Sequence, residues 1–164
     1  VTGVTINPWW DIPPSIVAES VGRLTRTSPI TARQRGYVWG GGKYRQRPGP
    51  GNALGQVKLV MPNPYSVYLH DTPTKALFDK PERALSHGCI RVDTATEFAA
   101  RLLGRSIDAE LAQDGSITLP ITDPLPVYIT YFTADVSEAG VVEFHNDVYG
   151  RDARMGANAS PPPR

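Results

Sequence analysis

Tyr68-Leu69-His70-Asp71-Thr72-Pro73 and Ser86-His87-Gly88-Cys89-Ile90-Arg91-Val92 are the two stretches on which the reading of this chain turns. The first closes a strand-like run from Ser66 to His70. Val67 and Leu69 face one way there, Tyr68 and His70 the other, and a polar turn follows at Asp71. The second stretch holds the only cysteine and lies just upstream of the clearest helix in the sequence. A thiolate so placed is expected to gain from helix N-terminal N–H groups and from Arg91, and so to be nucleophilic near neutral pH. Gly88 allows the close backbone approach that suits N–H donors aimed at an oxyanion. His70 and His87 are both candidates to take the thiol proton. A strand end gives His70 a fixed direction, so it is read as the base and His87 as lining the site.

That helix spans 95–103. Thr94 and Glu97 have capping-box spacing, Ala95, Phe98, Ala99, Leu102 and Leu103 form one apolar stripe, and Gly104 is placed to end it. A shorter helix is expected over 107–113. Upstream, Val57, Leu59 and Met61 alternate with polar neighbours as a half-buried strand does, and Pro62-Asn63-Pro64 turns the chain. Val4 to Ile6 reads as a strand broken at Pro8, and Pro13-Pro14 opens a helix over about 14–24. Residues 25–53 read as a long irregular surface loop rich in glycine, proline and basic residues. Its Lys43, Arg45 and Arg47 are either a solvated run or contacts for substrate carboxylates. Val127–Phe132 and Val141–His145 read as strands, with a hairpin around Glu138-Ala139-Gly140. The whole is a mainly β domain with two or three short helices, over 1–155, and a disordered proline-rich tail over 156–164.

Bulk properties narrow the function. The 164 residues suit one domain, and 17 Lys and Arg nearly balance 16 Asp and Glu. That balance argues against nucleic acid or an anionic membrane as the main partner, because both need a concentrated basic field. No apolar run approaches the length of a membrane span, and no signal-peptide pattern opens the chain. Val1 is not an initiator Met, so a processed product or an excerpt is expected. One cysteine excludes an intrachain disulfide and leaves a thiol that is either inert or reactive for a reason. Cys89, His87 and His70 could supply three zinc ligands, but there is no second cysteine and no paired ligand spacing, so no metal is expected. His145 reads as a structural histidine, and Trp9 and Trp10 as packing residues rather than sugar-stacking ones.

The two stretches together resemble the signature of the YkuD-type L,D-transpeptidase catalytic domain. That signature is a His, a gap of 14 to 17 residues, Ser or Thr, then His-Gly-Cys, a hydrophobic residue and commonly Asn or Arg. Here 15 residues separate His70 from Ser86-His87-Gly88-Cys89-Ile90-Arg91. Arg47-Pro48-Gly49-Pro50-Gly51-Asn52-Ala53-Leu54-Gly55, the run Tyr68 to Pro73, Asn7-Pro8 and Pro13-Pro14-Ser15-Ile16 resemble the YcbB-like branch of that family. The resemblance covers roughly residues 4–150.

It implies a sandwich-like β fold and a cysteine-dependent acyl transfer on peptidoglycan stem peptides. Cys89 would attack the carbonyl between the third and fourth residues of a tetrapeptide donor, forming a thioester and releasing the terminal D-amino acid. An acceptor amine would then take the acyl group, usually as a 3→3 cross-link. His70 would be the base, held by the backbone carbonyl of Asp71. The N–H groups of Gly88 and Cys89 would form the oxyanion site, with Ser86, His87, Arg91 and Asp71 about the substrate. Arg91 can pair with a carboxylate bidentately. No cofactor is implied. Acylation by carbapenem-type β-lactams is, as is action in the periplasm or cell wall. The segment between Ile16 and Arg47 is short beside the lid insertion of the YcbB-like branch, which implies a reduced cap. The family's first strands are expected to be missing from this chain. Hydrolysis of stem peptides by an L,D-carboxypeptidase or endopeptidase, and a non-catalytic peptidoglycan-binding module, are the alternatives.

Overall fold

The computed structural model describes residues 1–86 and 88–158. They form two compact units, the first spanning Val1–Pro126. Its centre is a five-stranded sheet of β1 (Gly3–Ile6), β5 (Val57–Val60), β6 (Leu69–His70), β7 (Ile90–Arg91) and β8 (Ile117–Pro120), in the order β7-β6-β5-β1-β8. β6 and β7 run parallel and the other pairs antiparallel.

Strand parity sorts this sheet into two faces. Val4 pairs with Leu59, and Ile6 with Val57, on the core face. Val4, Ile6 and Val57 are fully buried, each worth roughly 1.5–3 kcal/mol of hydrophobic stabilisation. Helix α4 (Ala95–Leu103) is the element whose stripe covers them. Ala95 and Ala99 are buried in this core, and Phe98, Leu102 and Leu103 pack against it. Gly104 ends the helix in the left-handed conformation, as expected, but Thr94 makes no capping hydrogen bond. Helix α5 follows at Asp108–Leu111. The opposite face carries Thr5, Lys58 and His70 in register. It is the face on which the chemistry collects.

The segment read as a long loop is structured instead. The helix expected over about 14–24 runs as α1 (Pro14–Ile16), a π-helical turn (Val17–Val21) and α2 (Gly22–Thr27), and α3 occupies Pro29–Gln34. β3 (Tyr37–Gly40) and β4 (Lys43–Gln46) then form a hairpin about Gly41-Gly42, both at positive φ, and β2 (Trp10–Asp11) completes a three-stranded sheet in the order β2-β4-β3. Lys43 and Arg45 both pair with Asp11, at 2.5 and 2.6 Å. Arg45 also lies over the Trp9 ring, 4.6 Å from its centroid. Residues 47–55 are stapled by two buried amides. Asn52 donates to the Pro8 and Arg47 carbonyls at 3.0 and 2.9 Å, and Gln46 to those of Arg35 and Gly51 at 3.0 and 2.9 Å.

The second unit begins at Val127. Residues 127–132 are not a strand. The hairpin lies where its turn was read, but it pairs β9 (Ala134–Val136) with β10 (Val142–Phe144), and α6 (Arg151–Asn158) follows. His145 sits 3.1 Å from the Asp135 carboxylate. Of the tail expected from Gly156, residues 159–164 lie outside the described residues. Among the described residues no helix is long and apolar enough to cross a membrane.

Candidate active site

The parallel pair β6–β7 brings the two quoted stretches together. Leu69 pairs with Ile90 and His70 with Arg91, while the Ile90 N–H donates to the Tyr68 carbonyl at 3.0 Å and the Val92 N–H to that of His70 at 2.8 Å. One residue back along each strand, Tyr68 stands beside Cys89. Tyr68, His70, Cys89 and Arg91 therefore share the polar face, joined by Lys58 across from His70. A consequence differs from the sequence reading. α4 packs on the core face, so the sheet separates its N-terminus from the thiol, and the helix dipole is not what acts on Cys89.

His70 is 5% exposed and its orientation is fixed by the next residue. Nδ1 lies 2.5 Å from the Asp71 carbonyl oxygen. A carbonyl only accepts, so Nδ1 carries the proton, and the neutral ring presents an Nε2 lone pair. Burial pushes the imidazole below its ordinary value of 6.5; the Asp71 carbonyl opposes this and the Arg91 charge adds to it. The base form is thus the one present near neutral pH.

The Asp71 carbonyl is itself anchored. The Asp71 N–H donates to the Val57 carbonyl at 2.8 Å, the Gln56 N–H to Oδ2 at 2.9 Å, and Lys75 Nζ to Oδ1 at 2.7 Å. Lys75 also donates to the Asp93 carbonyl, tying this turn to the chain leaving β7. Gly55 makes the arrangement possible. Its φ is +61°, and a Cβ there would fall 2.3 Å from Asp71 Oδ2. Gly55→Ala is expected to lower stability by about 2 kcal/mol through the clash and the left-handed backbone. Urea unfolding checks this as a shifted midpoint at unchanged slope.

The thiol is half-buried, and Tyr68 is the residue beside it on the neighbouring strand. Among the described residues no hydrogen bond joins the thiol to the imidazole; the two groups lie diagonally across adjacent strands, with backbones about 8 Å apart at ideal spacing. Gly88 adopts φ +127°, a conformation glycine accepts readily, and its N–H donates to Ser86 Oγ at 3.2 Å. The Cys89 N–H has no partner among the described residues. Arg91 donates through an Nη to the Leu85 carbonyl at 3.0 Å, and its Nε is buried without a partner among the described residues. His87 lies outside the described residues.

Tyr68 and Lys58 also belong to this neighbourhood, and the sequence reading gave neither a catalytic role. Lys58 Nζ lies 4.1 Å from the Tyr68 ring centroid. Parity of Tyr68 with His70 was the signal available for the first. Beside them the face opens into a hollow of about 320 Å³ walled by Thr5, Lys58, Val60, Asn63, Ser66 and Tyr68. A larger groove of about 1010 Å³, lined in part by Trp9, Arg47, Gln56, Lys75 and Asp114, reaches the Asp71 anchor from behind.

The sequence matches the family model of the YkuD L,D-transpeptidase catalytic domain over residues 1–129. It is 30% identical, over 181 aligned positions, to a protein of Haemophilus influenzae Rd named "Putative L,D-transpeptidase". The alignment covers 94% of this chain but 37% of that protein, so the chain spans little more than a third of the relative's length.

Proposed function

This chain belongs to the YkuD family of L,D-transpeptidase catalytic domains, and from that premise we propose that it is a cysteine acyltransferase acting on peptidoglycan stem peptides. Within the family we assign it to the YcbB-like branch, on the segments 47–55 and 68–73. The observation that carries the reading is the shared face: a cysteine and a histidine on adjacent parallel strands, with the ring's Nδ1 committed to the Asp71 carbonyl.

In this mechanism the thiol turns from Tyr68 toward His70 Nε2, which takes its proton. The sulfur attacks the carbonyl between the third and fourth residues of a tetrapeptide donor. The resulting oxyanion is met by the Cys89 N–H and by the Gly88 N–H, once Ser86 Oγ yields it. The imidazolium returns its proton to the departing amine, and a thioester remains. An acceptor amine then gives a proton to Nε2 as it attacks, producing a 3→3 cross-link and free thiol. Arg91, held at one end by Leu85, has donors left for a substrate carboxylate. Ser86, His87 and Asp71 complete the surroundings of the donor. Carbapenems acylate the same sulfur, and the site of action is the periplasm or cell wall.

Incubation with tetrapeptide-bearing muropeptides tests the reading. Cross-linked dimer with released D-amino acid supports it; tripeptide product without dimer would mark a hydrolase, and no turnover a binding module. The depressed His70 value also sets a pH dependence. The ring loses its proton more readily here than in an unfolded chain, so neutral base persists below 6.5. The acid limb of β-lactam acylation is expected to have its midpoint below 6.5, and stopped-flow measurement across pH checks it.

A further inference from the structure

One cation on the polar face has no work in the mechanism above. Lys58 sits between the buried Val57 and Leu59, so strand parity turns it away from the core, into register with Thr5 on β1 and His70 on β6. Its ammonium lies over the Tyr68 ring, and among the described residues no carboxylate pairs with it. Asp71, on the turn after His70, is taken by Lys75 at 2.7 Å. An aromatic face meets an ammonium on one side only and leaves N–H donors in want of acceptors. Lys58 also walls the hollow of about 320 Å³, together with two hydroxyls. Thr5 Oγ1 is engaged with Thr118 Oγ1 at 3.0 Å, whereas Ser66 Oγ has no hydrogen bond among the described residues. Ser66 is held there at φ +55°, a left-handed backbone that disfavours serine.

We propose that this hollow is a carboxylate subsite, in which Lys58 and Ser66 bind the side-chain carboxylate of the donor's third residue and so help to select the donor. The inference rests on the transpeptidase reading and names the part of the substrate that the site reads. Position favours that carboxylate. His70 is flanked in one row across the sheet by Arg91 on β7 and Lys58 on β5. Arg91 already serves one carboxylate of the donor, and Lys58 offers a second cation on the far side of the base. Cys89 and Lys58 stand on the strands either side of Tyr68, so the sulfur and the ammonium are separated by about two strand spacings, roughly 10 Å. The attacked carbonyl belongs to the third residue, and a long side chain leaving its Cα spans that gap less the length of a salt bridge, about 3 Å.

The test uses two synthetic tetrapeptides, alike except that the third residue's side-chain carboxylate is free in one and amidated in the other. Both are titrated calorimetrically into Cys89→Ala, which binds without turnover, and into Cys89→Ala with Lys58→Met. Amidation is expected to weaken binding to Cys89→Ala by about 10-fold, the worth of one charge-assisted hydrogen bond. With Lys58→Met added, the ratio of the two dissociation constants should fall to near one. Burial, then the Arg91 charge and least of all Lys58 lower the His70 value, and any effect through that ring bears on both peptides alike. Equal affinities in Cys89→Ala, or binding of neither peptide, would overturn the proposal. So would a ratio that survives Lys58→Met. Should that variant show no cooperative melting, Ser66→Gly decides, since glycine accepts the left-handed backbone while the hydroxyl is lost. A fall in the ratio there supports the subsite and an unchanged ratio refutes it. Turnover of the same peptides by the wild type separates the two readings. Turnover of both at equal affinity would refute the subsite alone. A carboxylate preference in a protein that cross-links neither would refute the transpeptidase reading and leave the subsite standing.

Discussion

Replacing Cys89 by alanine is expected to lower stem-peptide turnover by about 10⁴-fold or more, to background, because no other group on that face can form the thioester. The substitution should leave the fold nearly untouched. Cys89 is half-buried and precedes a two-residue strand at the edge of the sheet, on the face away from the core, and the core closes without it. Its melting temperature is expected within about 4 °C of the wild type, the equivalent of roughly 1 kcal/mol at this size. Muropeptide turnover and a thermal melt on the same preparation measure both. Residual turnover above background would mean that the sulfur is not the nucleophile.

His70→Gln carries the second largest effect. Glutamine is close in size and can still donate to the Asp71 carbonyl, so the anchor of the 71–75 turn is kept while the Nε2 lone pair is lost. Acylation is expected to slow by about 10²- to 10⁴-fold, the usual span for removing a general base. The acid limb of the pH profile should vanish with it. Rates of β-lactam acylation at several pH values check both points together. A variant as fast as the wild type would place the proton acceptor elsewhere.

What could be read from the sequence follows a physical line. α4, β1 and β5 were legible because each has a buried face and its apolar residues keep the period of the element. The β3–β4 hairpin was not, because its strands expose Trp39, Gly40 and Lys43, and Lys43 and Arg45 look like a solvated run until Asp11 is seen opposite them. The strand read from Ser66 shrank to Leu69–His70 for a local reason. The Asn63 amide binds the backbone of Tyr65 and Val67 and holds Ser66 at φ +55°, an alternative to ladder bonding. Residues 127–132 have strand-forming composition but no strand among the described residues pairs with them, and pairing is not a property of a segment alone.

The site divides in the same way. Alternation in 66–70 put Tyr68 and His70 on one face, and that holds. The parallel pairing that sets Cys89 beside Tyr68 is non-local and left no mark in either stretch. The same is true of the Asp71 carboxylate. Its work depends on Gln56, 15 positions upstream, and on Gly55 before it, reaching it across the turn of a hairpin. A helix dipole was expected where strand parity instead turns the thiol away from α4 and toward a phenol.

Incubation of the folded protein with a carbapenem, followed by intact-mass measurement and peptide mapping, tests most directly whether Cys89 is the activated nucleophile. One covalent adduct, mapped to the peptide containing Cys89 and forming far more slowly in His70→Gln, is the result expected. A cooperatively melting protein that gains no mass, or that carries the adduct on another residue, would contradict it.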